Sequence, residues 1–395
     1  MGRTIESRSV YVMIEATYDH KTVIDFFAGI GLVRYALERR GWNETFALDY
    51  SVLKHEMYRD HFGDGVYCVE DVHTINVARI PSALLAHASF PCTDTSVAGS
   101  RQGLAGPESS AFWGFIRILN EMRDSRPPLV LLENVEGFLT SNKGDDLKDA
   151  LHTLNKLGYC VDVLLVDAVH FVPQSRVRLF IIGVQGVRSQ DVLEQDIILA
   201  QKTEARPEKI KKFIKALPTA NWFLNYLPAL PKREKNLESI IEVEAPWWNK
   251  ERSNYLFGQM HDYHKSKVVD LMSQNQWTYG TAFRRMRIRN GMKQSTAEIR
   301  LDGVAGCLRT PKGGSARQIL IRVGFGKFDA RLLSARENAR LMGADEYILS
   351  KNLSLNNALF GFGDAVCVPV IEWLSRYVLE PLTSRYVASL TNVPQ

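Results

Sequence analysis

Two kinds of apolar periodicity divide the chain. Between residues 22 and 185, short apolar runs alternate with amphipathic stretches. Thr22 to Phe27 reads as a strand, and Leu32 to Arg40 follows as a helix with Val33, Ala36 and Leu37 on its buried face. Gly41 fits the helix stop. Thr45 to Leu48 and Val66 to Val69 read as the next strands, and Leu84 to Phe90 as another, running into Pro91-Cys92. Phe112 to Met122 is helical by pattern, Leu129 to Leu132 is a continuous buried strand, and Leu147 to Leu157 is helical with Gly158 as its stop. Val161 to Val166 and Leu179 to Val184 complete the series. Strands alternating with helices predict an α/β fold with a doubly wound, mostly parallel sheet.

The pattern changes after residue 185. From Asp191 to Arg300 the periodicity weakens, and charges and aromatics such as Trp247-Trp248, Trp277 and Tyr279 are interspersed. This predicts a second, smaller domain over residues 186–325 with some β or irregular structure. Leu332 to Met342 returns to helical spacing, and Gly361 to Val370 reads as a glycine-punctuated loop entering a closing helix or strand. The large domain is therefore expected to comprise residues 1–185 and 326–395.

Composition adds limits. The apolar share of 45% and charged share of 24% are those of an ordinary globular chain. Five cysteines (Cys68, Cys92, Cys160, Cys307, Cys367) lie far apart with no C-x-x-C pair. That argues against a metal site and against a disulfide framework, and fits a reducing cytoplasm. Met1 to His20 is mixed and polar without a signal-peptide core. No apolar run reaches the roughly 18 residues of a membrane span. The net charge of +5 permits a polyanion partner without demonstrating one.

Candidate chemistry gathers at strand ends, which line the ligand crevice of an open α/β sheet. Asp25-Phe26-Phe27-Ala28-Gly29-Ile30-Gly31 is a strand entering a glycine turn, either a plain tight turn or a cofactor loop. It lacks the third glycine of a dinucleotide fingerprint. Asp49 at the end of the second strand can hold a ribose diol or be a solvated loop acid. Tyr50 can cover an adenine or pack in a core, and Asp71 can accept from an exocyclic amine. Together they favour a nucleoside cofactor. Cys92, after Pro91 and before the polar Thr93-Asp94-Thr95-Ser96, is a candidate nucleophile, and Glu133 a candidate proton-handling acid. Gln174-Ser175-Arg176-Val177-Arg178 presents two arginines for a base edge or phosphates, or is an exposed strand start.

The ordered series resembles the cytosine-5 DNA methyltransferase family in its single-chain bacterial or phage form. Its segments are Asp25 to Gly31, Phe90-Pro91-Cys92-Thr93-Asp94-Thr95-Ser96, Leu131-Leu132-Glu133-Asn134-Val135, Gln174 to Arg178, Leu332 to Glu337 with Arg340 to Gly343, and Gly363-Asp364-Ala365-Val366. The resemblance implies a Rossmann-like methyltransferase fold and S-adenosylmethionine as donor. Phe27, Ala28, Gly29, Ile30, Gly31, Asp49, Tyr50, Asp71, Val72, Pro91, Asp364 and Ala365 would lie near that donor. It implies Cys92 as nucleophile at carbon 6 of a flipped cytosine, Glu133 as acid at ring nitrogen 3, and Arg178 beside them with Arg176 and Gln174 in support. The middle region would be a target-recognition domain, and double-stranded DNA the partner. A monomer in the bacterial cytoplasm, nucleoid-associated and acting alongside a restriction or anti-phage defence complex, completes the expectation.

Three departures stand out. Leu32 replaces the usual glycine after the turn, Pro107-Glu108-Ser109-Ser110 stands where a loop arginine is usual, and Asp364 replaces an asparagine. For DNA contacts the resemblance directs attention to Ser96, Arg101 and Gln102 in the loop after Cys92. Arg284, Arg285, Arg287, Arg289 and Lys293 form a basic run that alternates as a strand with one charged face, for phosphates or merely for solvent. Arg309, Lys312 and Arg317 flank Gly313-Gly314 at the domain junction. Two other readings stay open: a tRNA cytosine-5 methyltransferase, which needs less than the long middle region, and a silent DNA-binding regulator, against which Cys92, Glu133 and Arg178 speak.

Overall fold

The computed structural model describes residues 21–91, 110–289, 292–310 and 317–391. In chain order the first half comprises β1 (Lys21–Phe26), α1 (Leu32–Glu38), β2 (Trp42–Asp49), α2 (Val52–Phe62), β3 (Tyr67–Val69), β4 (Leu85–Ala88), α3 (Ser110–Glu121), β5 (Leu129–Val135), α4 (Asp145–Lys156), β6 (Cys160–Asp167) and β7 (Val177–Val184). These strands form one seven-stranded sheet in the order β3-β2-β1-β4-β5-β7-β6. All neighbours are parallel except β7, which runs antiparallel between β5 and β6. Strand order reverses between β1 and β4, which makes their C-terminal ends the switch point of the sheet.

Both faces of the sheet are buried, and the alternation of side chains feeds two cores. Leu129 and Leu131 of β5 point to one, together with Leu32, Val33, Ala36 and Leu37 of α1. Val130 and Leu132 point to the other, with Phe112 and Phe115 of α3 and Leu147 and Leu151 of α4. Each such buried leucine, valine or phenylalanine stabilises the fold by about 1.5–3 kcal/mol. The strand of Glu133 is longer than its apolar run. Ladder pairing with β7 continues past Leu132, Glu133 facing Phe180 and Val135 facing Arg178. Glu133 thus stands on the strand rather than beyond its end.

The second half comprises α5 (Val192–Ala200), α6 (Glu208–Lys215), α7 (Lys250–Gly258), α8 (Asp262–Met272), β8 (Thr278–Arg289), β9 (Met292–Arg300), β10 (Ile319–Gly324), β11 (Lys327–Leu332), α9 (Ala335–Leu341), α10 (Leu355–Asp364), α11 (Val368–Leu374) and α12 (Glu380–Thr391). A four-stranded antiparallel sheet, β11-β10-β8-β9, has its own core with Leu256 of α7, Val268 of α8 and Met260 between them. It extends to Leu332, beyond the expected boundary at residue 325. Its aromatics are partly arginine platforms: Arg322 lies 4.4 Å from the ring centre of Trp247 and 4.5 Å from that of Trp277.

Residues 199–240 belong physically with the large sheet. Ile210, Ile214, Leu217 and Trp222 join one of its cores, and Leu227, Leu237 and Ile240 the other. The segment covers the edge strand β6, with backbone bonds from Val161 to Asn221 and from Leu165 to Ala205 at 2.8 Å each. Beneath it, Arg206 Nη2 meets both carboxylate oxygens of fully buried Asp162, at 3.0 and 2.8 Å. Gly361 and Gly363 are helical, inside α10, rather than in a loop. A Cβ on Gly361 would come within 2.8 Å of Met57, and one on Gly363 within 2.7 Å of the Arg309–Thr310 backbone. The helical stretch Leu355–Ala388 is long and apolar enough to cross a membrane, but 72% of its most apolar window is buried in the protein.

Candidate active site

Parallel pairing carries the ends of β1, β2, β3 and β4 to one edge of the large sheet, and β5 ends there too. The turn after β1 opens the crevice. Phe27, Gly29 and Gly31 all take positive φ, at 61°, 59° and 78°. Gly31 must be glycine for space as well, because a Cβ there would lie 2.6 Å from Tyr58 and Phe62. Leu32 already begins α1 and packs in the core, so no third glycine is required.

Asp49 fastens this turn to β2. Its Oδ2 accepts from Gly29 N at 3.1 Å and its Oδ1 from Ser51 N at 2.9 Å. Burial raises its carboxyl above the usual range, against the opposing pull of Lys54 and the two amides. Tyr50 is 69% exposed, a bare ring at the strand end rather than a core residue. Asp71 is exposed and its Oδ1 accepts from His73 N at 2.8 Å. Ala28, Ile30 and Val72 are buried, and the carbonyls of Ala28, Ile30 and Val72 accept from Gly31 N, Tyr347 Oη and Arg117 Nη2 respectively. Pro91 is half-buried after β4, and Ala365 gives its carbonyl to Arg176. Asp364 closes α10 with its carboxylate 3.0 Å from Lys54 Nζ.

The antiparallel course of β7 brings its first residues to the same edge. Arg178 therefore stands diagonally across from Glu133, with its Nε 2.7 Å from Glu133 Oε1. Ser89, just after β4, donates to Glu133 Oε2 at 2.6 Å. Asn134 Nδ2 reaches the Phe90 carbonyl at 3.4 Å, at the mouth of the segment that leads to Cys92. Cys92 itself lies outside the described residues, as do Ser96, Arg101, Gln102 and Lys312.

Gln174 and Arg176 are brought to the site's wall rather than its lumen. Gln174 Nε2 donates to the Leu341 carbonyl at 2.8 Å, and its Oε1 accepts from Leu308 N at 3.0 Å. Arg176 donates to the carbonyls of Leu308, Gly363 and Ala365 at 3.0, 3.1 and 2.6 Å. Both are buried, so they act by joining the start of β7 to the 305–308 segment and to α10. Cys307 is a member that sequence reasoning missed. It lies 3.4 Å from Arg176 Nη1 and 3.9 Å from Arg178 Nη2. Burial pushes its thiol up, but Arg176, Arg178 and Arg309 outweigh burial and hold it below the usual range. Ser89 and Lys54 were missed as well. A lone serine after a strand, or a lysine one turn into a helix, carries no local signal.

The basic run maps onto β8. Beyond Ala282 this strand pairs with β9 alone, forming a two-stranded ribbon. Arg285 and Arg287 share Glu298, at 3.6 and 2.6 Å, while Met286 and Ile288 are exposed. Arg284 instead lies 5.9 Å from the Tyr255 ring of α7. Lys293 is exposed opposite Ile288, and Arg289 ends the strand. Arg309 is exposed near Cys307, and Arg317 donates to Asn356. Among the described residues, no group of three or more potential metal ligands occurs.

Comparison with known proteins agrees with this geometry. A family model described as C-5 cytosine-specific DNA methylase matches residues 21–380. The type II methyltransferase M.BanI of Aneurinibacillus aneurinilyticus is 34% identical over 52% of this chain and 48% of its own length. M.HpaII of Haemophilus parainfluenzae is 32% identical over 55% of this chain and 60% of its own. The chain spans about half the length of the first of these curated relatives. By structure, the Entamoeba histolytica methyltransferase EhMeth superposes with a TM-score of 0.62 over 92% of this chain and 99% of that one, at 15% identity. S. pombe Dnmt2 does so with 0.57, over the same shares, at 17% identity. These two share the fold. The match over residues 21–380, on the sheet whose edge holds Glu133 and Arg178, shows that the chain belongs to the C-5 cytosine-specific DNA methylase family.

Proposed function

We propose that the chain transfers a methyl group from S-adenosylmethionine to carbon 5 of cytosine in duplex DNA. The observation that carries this reading is the Ser89–Glu133–Arg178 arrangement at the sheet edge, next to the strand that leads into Pro91 and Cys92. The other half of the edge suits a charged nucleoside donor. It offers a glycine turn at positive φ, a buried carboxylate in Asp49, the bare ring of Tyr50, and the half-exposed carboxylate of Asp364.

In this reading Cys92 adds as thiolate to carbon 6 of the flipped base, and the carbon 5–carbon 6 electrons become enamine-like. Glu133 shares a proton with ring nitrogen 3 and stabilises the charge that addition creates. Ser89 hydrogen-bonds one carboxyl oxygen and Arg178 forms an ion pair with the other, so both favour one orientation before the base arrives. S-adenosylmethionine, when bound by the residues around Asp49 and Asp364, supplies an electrophilic methyl carbon. After transfer a base removes the carbon-5 proton, the electrons of that carbon–hydrogen bond restore the ring double bond, and the carbon 6–sulfur pair departs with Cys92 as thiolate.

The ribbon of β8 and β9 supports duplex DNA as substrate. Seven residues past its last pairing with β10 span roughly 20 Å. A two-stranded ribbon fits the major groove. The names of the bacterial relatives, type II methyltransferases, support a restriction–modification setting. Purified protein with labelled donor is expected to label duplex DNA in preference to tRNA. Equal or better labelling of tRNA would overturn the choice of substrate, and no labelling of either would favour a silent regulator.

A further inference from the structure

Lys54 belongs to none of the ordered motifs, yet it lies within the donor half of the crevice. It is in the first turn of α2, whose cap Ser51 is tied to Asp49. Its stem crosses the glycine turn, since a Cβ on Gly29 would lie 3.9 Å from Lys54 Cδ. Its Nζ is 3.0 Å from Asp364 Oδ2 and 4.0 Å from Asp49 Oδ2. Burial alone would lower its pKa, but the two carboxylates outweigh burial and raise it, so the side chain is a cation. Asp49 also receives two backbone amides and is held in place. Asp364 is less committed, its side chain being 47% exposed at the end of α10.

An amino-acid end carries an ammonium and a carboxylate on one carbon. The Lys54–Asp364 pair offers the complementary charges side by side. Entry of the zwitterion exchanges one ion pair for two and leaves the net charge of the site unchanged. A site built only for a nucleoside would need neither member. We propose that Lys54 binds the α-carboxylate of the methyl donor while Asp364 takes its α-ammonium, so that this pair selects donors with an intact amino-acid end. The inference rests on the reading of this crevice as the donor site.

Calorimetric titration with S-adenosylhomocysteine and with 5′-methylthioadenosine, which keeps the nucleoside and lacks the amino-acid end, separates the possibilities. Wild type is expected to prefer S-adenosylhomocysteine. Lys54→Met should weaken S-adenosylhomocysteine by about tenfold or more, as loss of a charge-assisted contact does, and leave methylthioadenosine within about twofold. Lys54→Arg should keep most of the preference, which guards against a simple folding defect. Equal losses for both ligands, or no loss for either, would overturn the role of Lys54 while leaving the donor site standing. A wild type that binds neither ligand would overturn the donor-site reading itself, and this inference with it.

Discussion

Arg178 Nε sits 2.7 Å from Glu133 Oε1 because two antiparallel strands bring together residues 45 positions apart. Ser89 engages the other oxygen from a third strand end, at 2.6 Å. A carboxyl gripped from two sides has its orientation set by the sheet, and the proposed acid role depends on that orientation. Glu133→Gln is expected to lower kcat by roughly 10²–10⁴-fold, the range of a positioned proton-transfer group. DNA affinity, measured by gel shift, should change little.

Ser89→Ala tests the second grip. It removes one hydrogen bond to a charged group, worth about 1.5–3 kcal/mol. A fall in kcat of tenfold or somewhat more is expected, with KM for donor unchanged. A wild-type kcat would show that Arg178 alone orients the acid.

Cys307 should be the most readily alkylated of the cysteines in the described residues. Its thiol is held below the usual range, whereas burial pushes Cys68 and Cys160 up and Cys367 up to about 12, with Glu70 adding to the rise at Cys68. In a Cys92→Ala background, the iodoacetamide reaction at Cys307, followed by peptide mass spectrometry, should rise with pH. Its midpoint should lie below the ordinary thiol range, in the direction set by the neighbouring arginines. A low midpoint means more thiolate at neutral pH. Arg178→Ala should move the midpoint upward, because a stabilising cation is lost.

The fold of the large sheet was largely legible in the chain, and the reason is physical. Buried strands such as Leu129 to Leu132 are apolar on both faces, and strand ends in a parallel sheet must share an edge. That logic located Asp49, Glu133 and the glycine turn. It failed between residues 191 and 240, where Trp222, Ile210 and Ile214 cover a sheet edge from short helices and extended chain without a sustained period. It also failed at Gly361 and Gly363, which suggest a loop by type yet sit in α10 because neighbouring chain passes too close for a side chain. Lys54, Ser89 and Cys307 acquire meaning only from the topology around them.

The clamp of residues 203–225 on β6 gives a stability prediction. Arg206 and Asp162 are both fully buried, and Asn225 N and Nδ2 also donate to Asp162 Oδ2, at 2.8 and 3.0 Å. Arg206→Met leaves the Asp162 charge without its cation, a change that costs about 3–5 kcal/mol. A clear fall in Tm is expected, whereas an unchanged Tm would show that the two amide bonds suffice.

The β8–β9 ribbon yields a prediction for DNA affinity. Lys293→Ala should weaken binding to specific and random duplexes alike. It should also reduce the slope of log K against log salt by about 0.9, the value for one phosphate contact. Fluorescence anisotropy at several salt concentrations measures both. Loss confined to one DNA sequence would instead make Lys293 a base reader.

The central claim is covalent attack on cytosine by Cys92 beside an acid oriented by Arg178 and Ser89. Its most direct measurement is trapping on duplex DNA carrying 5-fluorocytosine in the presence of S-adenosylmethionine, where the fluorine blocks the final elimination. The account predicts a denaturant-stable protein–DNA adduct with wild type, linked through Cys92 by mass spectrometry, and none with Cys92→Ala. Methylation of ordinary duplex DNA by the wild type without any trapped adduct on the fluorinated duplex would contradict it.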